Sequence, residues 1–417
     1  MSAANGAGAA ARRLLVLGHI GAQFSLPKSP DAGLVLVELP DGEPAPRTVE
    51  VLDGPATATR RITLLSAAGR PLDEARPDDP VPTWQGPVVA PEFRRHLHDT
   101  DAFARLDLEP GSLAPLLLLR TWRAHGRDVT EVLVASRLRS SGCLFVRVAR
   151  LDGDPDTPVG ELVVRALGAS TALTESVRME SLVYVKFEQG TEIEAKIGVT
   201  GEVSNWAVAT DLFTRIDAGE LPGFMPEFAN EFQRWQMAVQ LFEVLAPPEA
   251  AGHISFSPES GSYVVSRKLF RADGSRRRTE STYLGVTVPD DDIAGYLATA
   301  YPDLVVRALP PYTRVRFDIN VESTRTGHIY GVAVDRVTVD GSGETLRQVE
   351  VEYLRSRVHD GLDRDTVDPE MDRLTGLIQE ELTRIGVANE QTDVSKLSFL
   401  RGCAGPAAPR ERVHRGG

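Results

Sequence analysis

Between Leu14 and Val177 the apolar positions come in short runs, without a long helical period. The segments RLLVLGHIGAQFSL, GLVLVEL, RTVEVLDG, RRITLLSA, EVLVASRL, CLFVRVARL and GELVVRAL are rich in Val, Leu and Ile. Gly, Pro and Asp separate them, which predicts strands. The prolines of EARPDDPVPTWQGPVVAP predict a loop. From about Ser181 the character changes. SLVYVKFEQGTEIEAKIGV is strand material, whereas MPEFANEFQRWQMAVQLFEVL places Phe228, Phe232, Trp235, Val239 and Phe242 at helical spacing before Pro247 and Pro248. That spacing predicts an amphipathic helix. GSYVVSRKLFRADGSRRRTESTYLGV predicts a hairpin turning at Asp273-Gly274, and DDDIAGYLATAY a short helix. TRVRFDINVEST, GHIYGVAVDRVTV and TLRQVEVEYLRSRV predict three more strands, with a turn at Asp340-Gly341. Asp368 reads as a helix cap with Pro369 at the first helical position, Leu374, Ile378 and Leu382 as the apolar stripe, and Gly386 as the stop. No internal repeat at a solenoid period is visible.

Polar positions carry the more specific signal. Strand residues alternate faces, so Glu192, Glu194 and Lys196 share one side and Ile193, Ala195 and Ile197 the other. Glu350 and Glu352 repeat this in QVEVEY, and Arg314/Arg316 and Arg276/Arg278 form basic pairs at the same spacing. On one strand alone such a face simply meets water. Like charges side by side repel, so their recurrence on several strands calls for something that neutralises them. A closed barrel with a wet lumen provides it, the apolar face being turned outward under helices. Paired carboxylates suit Mg²⁺ or Mn²⁺, and Arg and Lys suit phosphate oxygens. Together they are the equipment of phosphoryl transfer. The expected fold class is α+β: a C-terminal antiparallel β-barrel, or tunnel, with flanking helices, preceded by a β-rich N-terminal domain.

Composition narrows the function classes. A chain of 417 residues exceeds the usual single-domain size. The expected division is a flexible tail over 1–12, a β-rich domain over 13–177, the tunnel domain over 178–398 and a second flexible tail over 399–417. A net charge of −13 argues against a general nucleic-acid binder, which needs a basic surface. Cys143 and Cys403 are the only cysteines, which excludes a disulfide scaffold or a Cys-rich zinc site and suits a reducing cytoplasm. No apolar run approaches the ~18 residues of a membrane helix. The opening MSAANGAGAAARRLLVLGHIG reads as a loose tail entering a strand, not as a signal peptide.

Glu192-Ile193-Glu194-Ala195-Lys196 resembles the Glu-x-Glu-x-Lys signature of the CYTH, or triphosphate tunnel metalloenzyme, superfamily, over roughly the C-terminal half of the chain. That group includes thiamine triphosphatases, inorganic triphosphatases, class IV adenylate cyclases and fungal-type RNA triphosphatases. The order of the later strands is similar to the family's: Arg267, Lys268, Arg276 and Arg278 in a hairpin, then Arg314 and Arg316, then Asp335, then Glu350 and Glu352. The chain departs from the family pattern in the long domain ahead of the signature and the wide gap before the basic hairpin. The resemblance implies that Glu192, Glu194, Glu350 and Glu352, with Asp335, hold Mg²⁺ or Mn²⁺. It implies that Lys196, Lys268, Arg276, Arg278, Arg314 and Arg316 bind the phosphate chain, and that water attacks the terminal phosphorus. Whether Arg267 or Lys268 points inward, and whether Arg277 replaces Arg276 and Arg278, stays open at this level.

The implied activity is a metal-dependent triphosphatase, a hydrolase acting on inorganic triphosphate or polyphosphate, a nucleoside or thiamine triphosphate, or 5′-triphosphate RNA. A cyclase on the same fold and a non-catalytic module binding a phosphorylated ligand are the alternatives. The implied partner is a phosphorylated small molecule or polyphosphate, with no membrane and no nucleic acid beyond a 5′-triphosphate end. Other clusters carry less. His96, His98, Asp99 and Asp101 in RRHLHDTD lack a third ligand cluster and read as solvated loop. Cys143 reads as a small buried hydrophobe and DGSGETL as a turn. No Ser-His-Asp set can be assigned.

Overall fold

The computed structural model of the chain describes residues 10–19, 21, 32–53, 58–85, 88–124, 127–138, 142–153, 157–171, 184–227, 232–270, 276–359 and 361–404. The chain divides into two compact units. The first comprises Met1–Val185 with Ser323–Gly327 and Ser356–Asp363; the second comprises Lys186–Glu322, His328–Arg355 and Arg364–Gly417. The expected boundary at 177/178 lies outside the described residues. Among the described residues no helix is long and apolar enough to cross a membrane.

The first unit contains β1 (Ala11–His19), β2 (Leu34–Gly42), β3 (Val49–Asp53), β4 (Arg61–Leu65), β5 (Pro71–Ala75), α1 (Pro91–Asp99), α2 (Ala102–Arg105), β6 (Leu113–Ala124), β7 (Arg127–Leu138), β8 (Gly142–Gly153) and α3 (Val159–Thr171). Its eight strands form one sheet in the order β3-β8-β7-β6-β1-β2-β4-β5. Strand alternation gives the sheet two apolar faces. Leu15, Leu17, Leu118, Leu133 and Phe145 pack against Phe93, Leu97 and Phe103 of the α1–α2 pair. Leu14, Val16, Leu117, Val132 and Val148 face the other way, against Val163 and Ala166 of α3. Cys143 is buried among the first set, as expected, and burial pushes its thiol up to about 12.

Two expectations fail in this unit. GELVVRAL lies in helix α3, not in a strand, because Val159, Val163 and Ala166 meet the sheet at helical spacing. Gly160 permits the contact: a Cβ there would lie 1.8 Å from the Gly69 carbonyl oxygen. RRHLHDTD falls largely in α1, not in a loop; its Leu97, with the preceding Phe93, anchors the helix, while His98 is exposed beside Asp99. Strand β6, whose apolar run LAPLLLL lacks alternation because both faces are buried, was not anticipated.

The second unit contains β9 (Thr191–Val199), α4 (Asn205–Asp217), β10 (Gln233–Ala246), β11 (Gly252–Glu259), β12 (Ser262–Leu269), β13 (Arg277–Val286), α5 (Ile293–Ala300), β14 (Tyr312–Ser323), β15 (His328–Val339), β16 (Thr345–Arg357), α6 (Val367–Arg384) and α7 (Lys396–Cys403). Its main strands run β16-β15-β14-β10-β11-β12-β13-β9, and β9 pairs back onto β16. The sheet is therefore a closed antiparallel barrel, and the α+β class with a C-terminal tunnel and a β-rich N-terminal region holds. Outward residues Ile193, Ile197, Ile319, Val332, Val349 and Val351 are covered by α4 and α6, where Met371, Leu374, Ile378 and Leu382 form a fully buried stripe.

The expected helix around Trp235 is strand β10. Leu241 joins one cluster and Phe242 and Val244 another, so the segment is buried on two faces as a strand is, and β-branched and aromatic residues favour that form. Phe232 lies ahead of the strand, stacked on Phe317, and Phe228 falls outside the described residues. Helix α6 begins at Val367 with Thr366 as its N-cap, two residues before the expected cap Asp368; Gly386, at φ 78°, follows its end as expected. Helix α7 occupies residues expected partly in a tail. The Asp273-Gly274 turn and residues 1–9 and 405–417 lie outside the described residues.

Leu374→Ala is expected to cost about 2–5 kcal/mol, as core truncations do, and Leu284→Ala, 75% exposed, under about 0.5 kcal/mol. Denaturant unfolding of the two variants checks this; equal losses would contradict the assigned core.

Candidate functional site

Barrel closure decides which side chains meet. Across β9 and β16, Glu194 stands opposite Glu352 and Lys196 opposite Glu350; across β9 and β13, Glu192 stands opposite Arg278. Cross-strand partners share a face, so these residues all turn inward. With Lys268, Arg314, Arg316 and Glu280 they line a cavity of about 210 Å³.

The charges interlock. Glu192 takes Lys268 Nζ at 2.5 Å, and Glu194 takes Arg278 at 2.5 Å together with Lys196. Glu350 takes Lys396 at 2.5 Å and Arg314 at 3.3 Å. Asp335, opposite Arg316 on the neighbouring strand, is bound by Arg314 and, at 3.1 Å, by Lys396. Burial alone would lower the Lys268 ammonium, but Glu192, Glu280, Glu194 and Glu352 outweigh it and hold it above the ordinary lysine range. Arg316 is raised in the same way, burial being overcome chiefly by Asp335 and Asp318.

Glu350 and Glu352, neighbours on one face, are driven in opposite directions. For Glu350, burial is overcome by Lys396, Arg314 and Arg316, and its carboxyl lies well below the usual range. Glu352 is pushed up to about 7, first by burial and then by Glu192. On this side of the lumen Glu192 pairs with Lys268 through Oε1, and its Oε2 is buried without a hydrogen-bond partner. Among the described residues no three His, Cys, Asp or Glu side chains converge as a metal cluster. Two carboxylates suffice for Mg²⁺ when substrate phosphates and waters complete its shell. The donor chemistry of Glu192 and Glu352 therefore fits a divalent cation.

One end of the lumen is covered by α7. Leu397 and Leu400 pack on Leu241, Tyr312, Val337 and Val339, and Lys396 reaches inward from the first turn. Near that end stands His253, 8% exposed, with Nδ1 unpartnered; burial, Lys268, Arg278, Lys396 and Arg401 hold its imidazole neutral. Gly252 makes this possible. At φ 143°, a Cβ would fall 2.0 Å from the Lys268 carbonyl oxygen, so glycine alone lets β11 approach β12 here.

Of the sequence-predicted residues, the structure gathers Glu192, Glu194, Lys196, Lys268, Arg278, Arg314, Arg316, Glu350 and Glu352 around one cavity. Lys268 points in and Arg267 out, over the Tyr301 ring at 5.4 Å. Arg276 is a correction: it precedes β13, so strand alternation does not govern it, and it pairs with Asp368 and Asp372 at the start of α6. Arg277 also points away, to Glu188 and Asp368. Lys396, His253, Ser255, Ser266 and Glu280 were missed. For all but Lys396 the signal is the same spacing of two, in His253-x-Ser255, Ser266-x-Lys268 and Arg278-x-Glu280.

No protein-family model matches the chain, and no curated protein matches it. Among solved structures the chain is similar to the PH1012 protein of Pyrococcus horikoshii (12% identity, 45% of this chain and 90% of that one, TM-score 0.27). A putative adenylate cyclase of Bacillus halodurans is similar at 13% identity (51% and 98%, TM-score 0.27). The Pct1 RNA triphosphatase of S. pombe is similar at 13% identity (56% and 90%, TM-score 0.21).

Between the ordinary carboxyl value of 4.5 and about 7, folded Glu352 keeps a proton that the unfolded chain has released. Stability of the metal-free protein therefore falls as pH rises through that window. Glu352→Gln is expected to flatten the loss in Tm between pH 5 and pH 8; parallel losses in wild type and variant would contradict the assigned environment.

Proposed function

We propose that the chain is a divalent-metal-dependent hydrolase of a triphosphate-containing substrate, acting on the terminal phosphate inside the barrel. The reading is carried by one observation: carboxylates and cations from several strands share a closed lumen, in which Glu192 pairs with Lys268 through one oxygen and leaves the other, Oε2, buried without a hydrogen bond. Glu192 and Glu352, with Glu194 beside them, would hold Mg²⁺ or Mn²⁺, which neutralises phosphate charge. Lys196, Lys268, Arg278, Arg314 and Arg316 bind the phosphate oxygens, taking them in exchange for the carboxylates they now contact. Such positioning and charge neutralisation supply most of what phosphoryl transfer requires. Lys396 adds a cation from α7, and Asp335, whose carboxylate contacts Arg314 and Lys396, would hold both in place and stand next to the metal. Two free thiols, one of them buried, suit a reducing cytoplasm.

A panel of tripolyphosphate, thiamine triphosphate, nucleoside triphosphates and 5′-triphosphate RNA, each with Mg²⁺ and Mn²⁺, tests this. Phosphate release from at least one is expected, with a loss of at least about 100-fold in Glu192→Ala/Glu194→Ala. Release from none would overturn the proposal, and cyclic AMP with pyrophosphate from ATP would replace it with a cyclase. Residue placement gives a second contrast. Arg278→Ala is expected to weaken tripolyphosphate binding by at least about 10-fold and Arg276→Ala by less than about 3-fold, by calorimetry. Equal effects would contradict the inward assignment of Arg278.

A further inference from the structure

The two sheets share one strand order. The first unit runs β3-β8-β7-β6-β1-β2-β4-β5, and the barrel runs β9-β16-β15-β14-β10-β11-β12-β13. Apart from β3 and β9, chain order agrees as well. Four strands (β1, β2, β4 and β5; β10 to β13) lead through a helical connection (α1–α2; α5) to a three-strand meander (β6 to β8; β14 to β16) and a helix (α3; α6). That closing helix packs on the same side of the sheet in both, opposite the face that carries the buried charges. The departure is β3, which takes the place of β9 beside the last strand but comes from between β2 and β4.

Charge follows the same correspondence. Arg120 on β6 stands opposite Glu131 on β7, as Arg316 on β14 stands opposite Asp335 on β15. Glu50 on β3 takes the position of the β9 glutamates. Arg120 lies 2.9 Å from Glu131 and 2.8 Å from Glu50, and Arg147 of β8 lies 2.8 Å from Glu131. Arg120 and Glu131 are wholly buried, and the guanidinium also donates to the carbonyls of Glu43 and Ala45. The counterpart of the lumen is otherwise filled. The α1–α2 connection turns inward with Phe93 and Phe103, whereas α5 packs outside the barrel on Phe242 and Ile254. Strands β5 and β3 stay at the two edges, so the sheet does not close.

We propose that the N-terminal unit repeats the barrel's strand order as an open sheet, in which the face corresponding to the lumen is a closed ionic and apolar core and not an anion-binding site. That the barrel lumen takes a triphosphate rests on the function proposed above; the closed state of this core does not.

Arginine Nε–H resonances of the full chain, followed by NMR with and without metal-free tripolyphosphate, test both parts separately. Arg120 and Arg147 are expected to exchange slowly with water and not to shift at saturating ligand, while Arg278 and Arg316 shift. Glu131→Gln is expected to lower Tm by about 10 °C and leave kcat/KM within about 2-fold, because it breaks a buried pair away from the lumen. Rapid exchange at Arg120 or Arg147, a ligand-induced shift there, or a large loss of activity in Glu131→Gln would overturn the proposal. If no arginine shifts while Arg120 and Arg147 remain protected, the triphosphate reading fails and the closed core stands.

Discussion

The site exists because β9 pairs on both its edges, with β13 on one side and β16 on the other. Without that second pairing the sheet is open, and Glu192, Glu194 and Lys196 would face solvent as ordinary surface charges. With it, the same residues share a cavity with Glu350, Glu352, Arg314 and Arg316. Closure also fixes the register, and a slip of one residue would turn every charge outward and every isoleucine inward. Buried charge on the inner face and buried hydrocarbon on the outer face are therefore two consequences of one hydrogen-bonded seam. The outer face, under α4 and α6, supplies the apolar burial that offsets the cost of desolvating so many ionic groups.

Within the lumen, near-balance of charge is what makes binding chemistry available. Most carboxylates have a cation at contact distance, so the ligand-free barrel is tolerable. Glu352 is the exception, its proton affinity raised by burial and by Glu192. A carboxylate that would take up a proton near neutral pH can instead be neutralised by a divalent cation, and a phosphate chain can then take over the lysines and arginines. The N-terminal sheet illustrates the opposite outcome. Its arginines and glutamates pair with one another and with main-chain carbonyls, and phenylalanines pack on the same face. Similar charges on a similar frame give a core in one case and a cavity in the other, according to what the helical connection does.

Legibility in the sequence followed how far each feature depends on local periodicity. The charge pairs at spacing two were visible because ionic residues alternating with Ile or Val make a period-two pattern that a helix does not produce, and they located both halves of the carboxylate set. Strand β10 was misread because Phe228, Phe232, Trp235, Val239 and Phe242 fit a helical period, while the two-sided burial that makes it a strand depends on barrel partners distant in sequence. Helix α3 failed for the complementary reason: its Val-Val pair resembles a strand, and only the sheet beneath it selects the helix. Arg276 shares the spacing of Arg278 but not its strand. Lys396 arrives from a helix that follows the barrel, so no strand pattern announces it. The correspondence between the two sheets leaves no visible repeat, since it resides in strand order and in single opposed charges such as Arg120–Glu131.

The central claim is that the lumen holds a divalent cation at Glu192 and Glu352 with a phosphate chain on the facing lysines and arginines. Anomalous scattering from crystals grown with Mn²⁺ and a non-hydrolysable triphosphate tests it most directly. The account predicts a manganese peak in contact with the carboxylates of Glu192 and Glu352, with phosphate density against Lys268, Arg278 and Arg316. A peak outside the barrel, or an empty lumen at saturating ligand, would contradict it.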